Sequence, residues 1–292
     1  MAKTAIEWAG AVWNPSTGCD RISPGCDNCY ALGMAKRLKA MRQAKYQNDG
    51  DPRTSGPGFG LTMHPGALNV PLRRLKPETY FVNSMSDLGH ARVPGEFTAR
   101  VWSVMARTQQ HTYQILSKRP ERIAAWAHRC QRHELHTGYP GMPTGPDETC
   151  FDHPGEIIVG WGEWPLPNVH VGTSIELDRY TRRADDLRQT PAAVRFLSLE
   201  PLLGPLPSLD MTGIGWVIIG GESGSGARPL DLGWVRDLIT QGREARAAIF
   251  IKQLGSVWAR EHGGQSHGAD WSLWPEEFRI REFPHVAEQV PA

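Results

Sequence analysis

Alternating β-rich runs and helical stretches predict an α/β fold for this chain, a partial TIM-like (β/α) barrel of about six to seven parallel strands with an inserted loop and a C-terminal cap. Three observations carry that expectation. Short apolar runs recur along the chain, helical patterning separates them, and most runs end in polar residues. Strand-helix alternation implies parallel strands joined by right-handed crossovers. Parallel α/β folds bind ligands at the C-terminal edge of the strands, where those polar residues collect.

The elements follow in order. A short strand spans Ala11 to Trp13, and WNPSTGCDRISPGCDNCY (13 to 30) is a turn-rich loop dense in Pro, Gly, Ser and Asp. In YALGMAKRLKAMRQAKYQ, Leu32, Met34, Ala35, Leu38 and Met41 stand near helical spacing with basic residues between them, which predicts an amphipathic helix. NDGDPRTSGPGFG is loop. Strand-length runs then come at 79 to 87 (TYFVNSMSD), 112 to 120 (TYQILSKRP), 168 to 176 (NVHVGTSIE), 194 to 201 (VRFLSLEP), 215 to 224 (GWVIIGGESG) and 248 to 255 (AIFIKQLG). Residues 96 to 110, 119 to 132, 177 to 189 and 231 to 246 carry helical patterning. Residues 130 to 167 break the alternation and read as an insertion, because long structureless loops are uncommon inside compact domains. The barrel is expected over 1 to 255, with an extension over 256 to 292 that carries Trp258, Trp271, Trp274 and Pro275.

A chain of 292 residues with 40% hydrophobic content can bury a large core. Its 32 basic and 31 acidic residues leave a net charge of +1, so no whole-protein field draws it to nucleic acid or to an anionic membrane. MAKTAIEWAG lacks the apolar core of a signal peptide, and no run approaches the 18 apolar residues of a membrane span. A soluble, cytoplasmic protein with no membrane partner is expected. Five cysteines are too few and too uneven for a disulfide framework, and a tight cluster of them in a reducing compartment points to metal.

That cluster is Cys19, Cys26 and Cys29, spaced C-x6-C-x2-C. Three thiolates need a fourth ligand to close a structural zinc site. On a 4Fe-4S cluster, three cysteines leave one iron for a ligand that is not protein. Within the insertion, Cys130, His133, His136, Cys150 and His153 include two C-x2-H pairs suited to a structural zinc between 130 and 153. Arg73, Arg74, Lys76, Lys118, Arg119, Arg122, Arg179, Arg182, Arg183 and Arg188 offer a basic rim for phosphate.

Three cysteines in the loop after the first strand of a partial parallel barrel resemble the radical S-adenosylmethionine (SAM) enzymes. WNPSTGCDRISPGCDNCYA, FVNSMSDLGH, QILSKRPER, RFLSLEPLLG, IIGGESGSGARP and FIKQLG are further similar to a phage and prophage family of three-cysteine-motif proteins of unassigned activity. The likeness covers residues 4 to about 125 and 165 to 255. It implies a 4Fe-4S cluster on Cys19, Cys26 and Cys29, with S-adenosylmethionine on the open iron. It also implies a polar motif for the SAM amino group on Ser84, Ser86 or Asp87. Ser117, Lys118, Glu200 and Lys252 would face the SAM carboxylate, its ribose or substrate, and Glu222 would join the same ring. An electron donor protein, a substrate among nucleic acids or nucleotides, and the cytoplasm of a bacterial host complete the expectation. The chain departs from the usual superfamily loop, C-x3-C-x2-C with an aromatic before the last cysteine: its first gap is six residues and Tyr30 follows Cys29. The alternative is a zinc-binding, non-catalytic module for nucleic acid or protein. A third reading makes Glu200 and Glu222 the acid/base pair of a barrel hydrolase.

Overall fold

The computed structural model describes residues 6–131, 164–265 and 267–284. Seven strands form one sheet: β1 (Ala11–Trp13), β4 (Thr79–Val82), β5 (Thr112–Ser117), β6 (Val169–Ser174), β7 (Val194–Leu199), β8 (Trp216–Gly220) and β9 (Ala248–Gln253), in that order and parallel. Spatial order equals chain order, the topology of a partial (β/α) barrel. A two-stranded antiparallel ribbon, β2 (Ser16–Thr17) with β3 (Thr62–Met63), lies outside it. The helices are α1 (Tyr30–Ala40), α2 (Asn69–Leu72), α3 (Gly95–Ala106), α4 (Pro120–Gln131), α5 (Arg182–Arg188), α6 (Leu232–Glu244) and α7 (Gly255–Glu261). None of the described helices is long and apolar enough to cross a membrane.

Three expectations shift. The polar tails of the runs, such as residues 83 to 87, lie past the strands rather than in them. The first helix stops at Ala40, and the chain turns at Arg42 with φ 55°. Cys130 belongs to α4, where it is buried, so the helix runs into the segment expected as insertion. His133, His136, Cys150 and His153 lie outside the described residues.

The chain divides into two compact units, the first made of Met1–Arg21, Ala31–Val171 and Gln189–Ala193, the second of Ile22–Tyr30, Gly172–Arg188 and Val194–Ala292. In the first unit, Tyr80 and Tyr113 stack across β4 and β5 with centroids 5.5 Å apart. The Tyr113 hydroxyl pairs with Thr108 Oγ1 at 2.6 Å, in the turn after α3. That face of the strands therefore packs toward α3, whose Phe97, Val101, Trp102 and Met105 are buried, and Trp102 leans on Trp126 of α4 at 4.5 Å.

In the second unit, Phe196, Trp216 and Phe250 pack ring against ring across β7, β8 and β9, at 5.6 and 6.0 Å. Asp231 caps α6 by accepting from the Gly233 N–H at 2.7 Å, and Val235 and Leu238 bury its apolar side. The tail returns along β9: the Ile251 N–H donates to the Ile280 carbonyl at 2.8 Å, and Arg281 bridges Phe250 antiparallel.

Candidate functional site

In the first unit the functional side chains stand just past β4 and β5. Asn83 ends β4 in the left-handed region, φ 60°, and its side-chain amide holds Ser16, accepting from the backbone N–H at 3.3 Å and donating to Oγ at 3.0 Å. Ser84 Oγ donates to Asn14 Oδ1 at 3.2 Å. Ser86 Oγ donates to the Gly18 carbonyl at 2.7 Å and accepts from Ser16 Oγ at 3.1 Å. Both serines thus contact the loop that leads to Cys19. Gly18 itself is required there: its φ is +88°, and a Cβ would sit 2.3 Å from the Gly60 carbonyl oxygen.

Asp87 is the centre of this unit's network. Its carboxylate accepts from Ser117 Oγ at 2.6 Å, from the Gly89 N–H at 2.9 Å, from the Lys118 N–H at 3.3 Å and from Arg119 Nη1 at 2.7 Å. Arg119 then reaches the cysteine loop, with Nη1 3.6 Å from Cys19 Sγ and Nη2 donating to the Asp20 carbonyl at 3.1 Å. Burial works to lower the Arg119 pKa, but the Asp87 charge and Cys19 outweigh it and hold the pKa above the ordinary value. The guanidinium is a fixed positive charge beside the Cys19 sulfur.

Asp20, next to Cys19, is also held. Its carboxylate accepts from Ser55 Oγ at 2.5 Å and Thr54 Oγ1 at 2.7 Å, and meets His90 Nε2 at 2.8 Å. Burial opposes the charged form, yet the hydrogen bonds from Ser55, Thr54 and His90 prevail, and the carboxyl sits well below the usual carboxylate range. The Arg92 backbone N–H donates to His90 Nδ1 at 3.2 Å, so Nδ1 is an acceptor and Nε2 carries the proton given to Asp20. Burial lowers the His90 pKa, consistent with that neutral tautomer.

In the second unit, acidic side chains past the strands hold the segment carrying Cys26 and Cys29. Glu176 is fully buried; it accepts from the Gly25 N–H at 3.3 Å and from Arg183 Nη1 at 3.0 Å. Glu222 accepts from Asn28 Nδ2 at 3.1 Å and from Arg228 Nε at 2.8 Å, while Arg228 Nη2 donates to the Pro24 carbonyl at 2.9 Å. Burial pushes the Glu222 carboxyl up, but Arg228 and Asn28 reverse this, and it stays below its ordinary value. Glu222 is a standing anion, a poor fit for the general acid of a hydrolase. Lys252 Nζ contacts both oxygens of Glu200 at 2.7 and 2.9 Å, and Gln253 Nε2 adds 3.2 Å to Oε1. Gly221 allows a close backbone approach: a Cβ there would lie 2.9 Å from Gly255 Cα.

The structure therefore joins Asp87 to Ser117 and Lys118, and Glu200 to Lys252. It also gives roles to residues the sequence reading passed over: Asp20, His90, Asn28 and Arg228. Arg119 belongs to this network rather than to a basic rim, and its place in SKRP beside Ser117 and Lys118 is the signal for it in the sequence. Cys19, Cys26 and Cys29 are partly exposed thiols, and soft sulfur donors of this kind suit iron or zinc. Among the described residues, no three His, Cys, Asp or Glu side chains are grouped so as to hold a metal ion.

No curated protein and no solved structure matches the chain. The model of a family described as "Protein of unknown function (DUF5131)" matches residues 3–278, and the chain belongs to that family.

Proposed function

We propose that the chain is a radical SAM-like iron-sulfur enzyme in which Cys19, Cys26 and Cys29 hold a 4Fe-4S cluster and S-adenosylmethionine takes the remaining iron. The observation that carries this reading is the set of three partly exposed thiols within eleven residues, in the loop after the first strand of a parallel α/β sheet. The cluster, when bound, supplies the low-potential electron for reductive cleavage of S-adenosylmethionine. Everything else falls to the chain. Arg119 donates toward Cys19 Sγ, and Asp87, braced by Ser117, keeps Arg119 in place. Glu176 and Glu222 fix the backbone and Asn28 side chain of the segment that bears Cys26 and Cys29. Lys252 and Glu200 offer paired opposite charges, the complement of a zwitterionic amino-acid group. The resemblance to phage proteins directs the search for substrate to nucleic acids and nucleotides, and for partners to an electron donor protein.

The test is anaerobic purification and reconstitution with iron and sulfide. The expected result is about four irons per chain, their loss in Cys26→Ala, and 5′-deoxyadenosine formed on reduction with S-adenosylmethionine. One zinc per chain with no iron bound would overturn the reading.

A further inference from the structure

Among the described residues of the first unit, Gln114 and His170 carry buried polar atoms that its own hydrogen bonding leaves unused. Alternation along β4 and β5 puts Tyr80 and Tyr113 on the face toward α3, and Phe81 and Gln114, which are register partners, on the opposite face. The Tyr113 N–H donates to the Asn168 carbonyl at 2.8 Å. In a parallel ladder that bond pairs Tyr113 with Val169, and Gln114 with His170. Phe81, Gln114 and His170 therefore lie side by side on one face, 8%, 3% and 5% exposed. Among the described residues, Gln114 Oε1 and both ring nitrogens of His170 are buried with no hydrogen-bond partner.

Buried polar atoms of native proteins are nearly always satisfied by protein, ordered water or ligand, so three such atoms on neighbouring strands mark a polar site inside the sheet. Burial pushes the His170 pKa down to about 4, so the ring is neutral at pH 7 and offers one N–H donor and one nitrogen acceptor. A neutral ring beside an amide acceptor suits an uncharged, planar hydrogen-bonding group and gives nothing to a phosphate. Phe81, backed by Trp8 at 4.7 Å, adds an aromatic surface. Hydrogen bonds to a base edge with an aromatic neighbour are how proteins read an unstacked base.

We propose that Gln114 and His170, with Phe81 beside them, form a nucleobase-binding subsite. Occupation needs no iron, so the inference stands or falls apart from the cluster. Protein without iron, labelled with ¹⁵N-histidine, is titrated with adenosine, guanosine, cytidine and uridine, each alone, and the His170 ring-nitrogen signals are followed. At least one nucleoside is expected to move them saturably, while inorganic phosphate does not. Gln114→Leu, which removes an unsatisfied acceptor at similar volume, is expected to weaken that nucleoside about tenfold, the worth of one hydrogen bond. If no nucleoside shifts the His170 signals, if phosphate alone shifts them equally, or if Gln114→Leu binds as tightly as the parent, the inference is overturned.

Discussion

Asp87 and Glu222 each stand a few residues beyond a parallel strand and each pairs with an arginine, yet their settings differ. Asp87 and Arg119 are both enclosed, with side chains 7% and 10% exposed, and the donors around the carboxylate include a hydroxyl and two backbone N–H groups. Glu222 is equally enclosed at 4%, but Arg228 is 36% exposed. The first pair is an internal brace. The second keeps its cation partly in water, and the half-buried Glu200 and Lys252 belong to the same unit. Ion pairs past the strands thus divide into those enclosed on both sides and those that keep the cation partly in water.

Substitution tests that division most severely at Asp87. Asp87→Asn leaves the Arg119 charge buried beside a neutral amide and is expected to cost about 3–5 kcal/mol in urea unfolding. A loss no larger than that of Glu222→Gln would erase the contrast. Acid comes next. The folded His170 pKa of about 4 lies below the ordinary value of 6.5, so the unfolded chain takes up the proton first as pH falls. Stability present above pH ~6.5 is lost progressively toward pH 4, about 2 kcal/mol of it by pH 5. His64, also in the first unit and also held at about 4 by burial and by Lys45, acts in the same direction. Hydrogen exchange at pH 5 should then rise in β4 and β5 before β8 and β9, and His170→Leu should flatten the pH dependence. Equal loosening of both units would contradict this.

Glu222→Gln should cost less, about 1–2 kcal/mol, because the amide keeps the shape and solvent already screens Arg228. Its effect should shrink as salt is added. The smallest change is expected for Arg243→Ala, which breaks a pair with Glu282 whose side chains are 50% and 38% exposed; a loss below about 1 kcal/mol should be measured.

Much of this architecture was legible in the amino-acid order. Apolar runs at strand length, separated by helical periodicity, locate β4 to β9 to within a residue or two at their starts, because buried parallel strands need continuous apolar segments. Their ends were less legible, since Asn83 and Ser84 differ from strand residues only through a backbone turn. The β2–β3 ribbon has two-residue strands, too short for any period to show. At the site, residue types and strand-end positions were readable, but partnership was not. Asp20 finds His90 70 residues away and Asn28 finds Glu222 194 residues away, and no local pattern encodes such pairings. The buried Gln114 and His170 were hidden by the same rule that located their strands, which treats each run as uniformly apolar.

The return of the tail along β9 has a consequence for the company the protein keeps. A parallel sheet that is not closed into a full barrel ends in strands whose outward N–H and C=O groups can recruit another chain. Those of Ile251 and Ile249 are already taken: the Ile251 N–H donates to the Ile280 carbonyl, the Ile249 carbonyl accepts from the Glu282 N–H at 2.8 Å, and the Glu282 carboxylate takes the Ile249 N–H at 2.9 Å. Cutting the chain before Ile280 would uncover that margin, and a shortened protein should lose solubility through strand-to-strand association before it loses its fold.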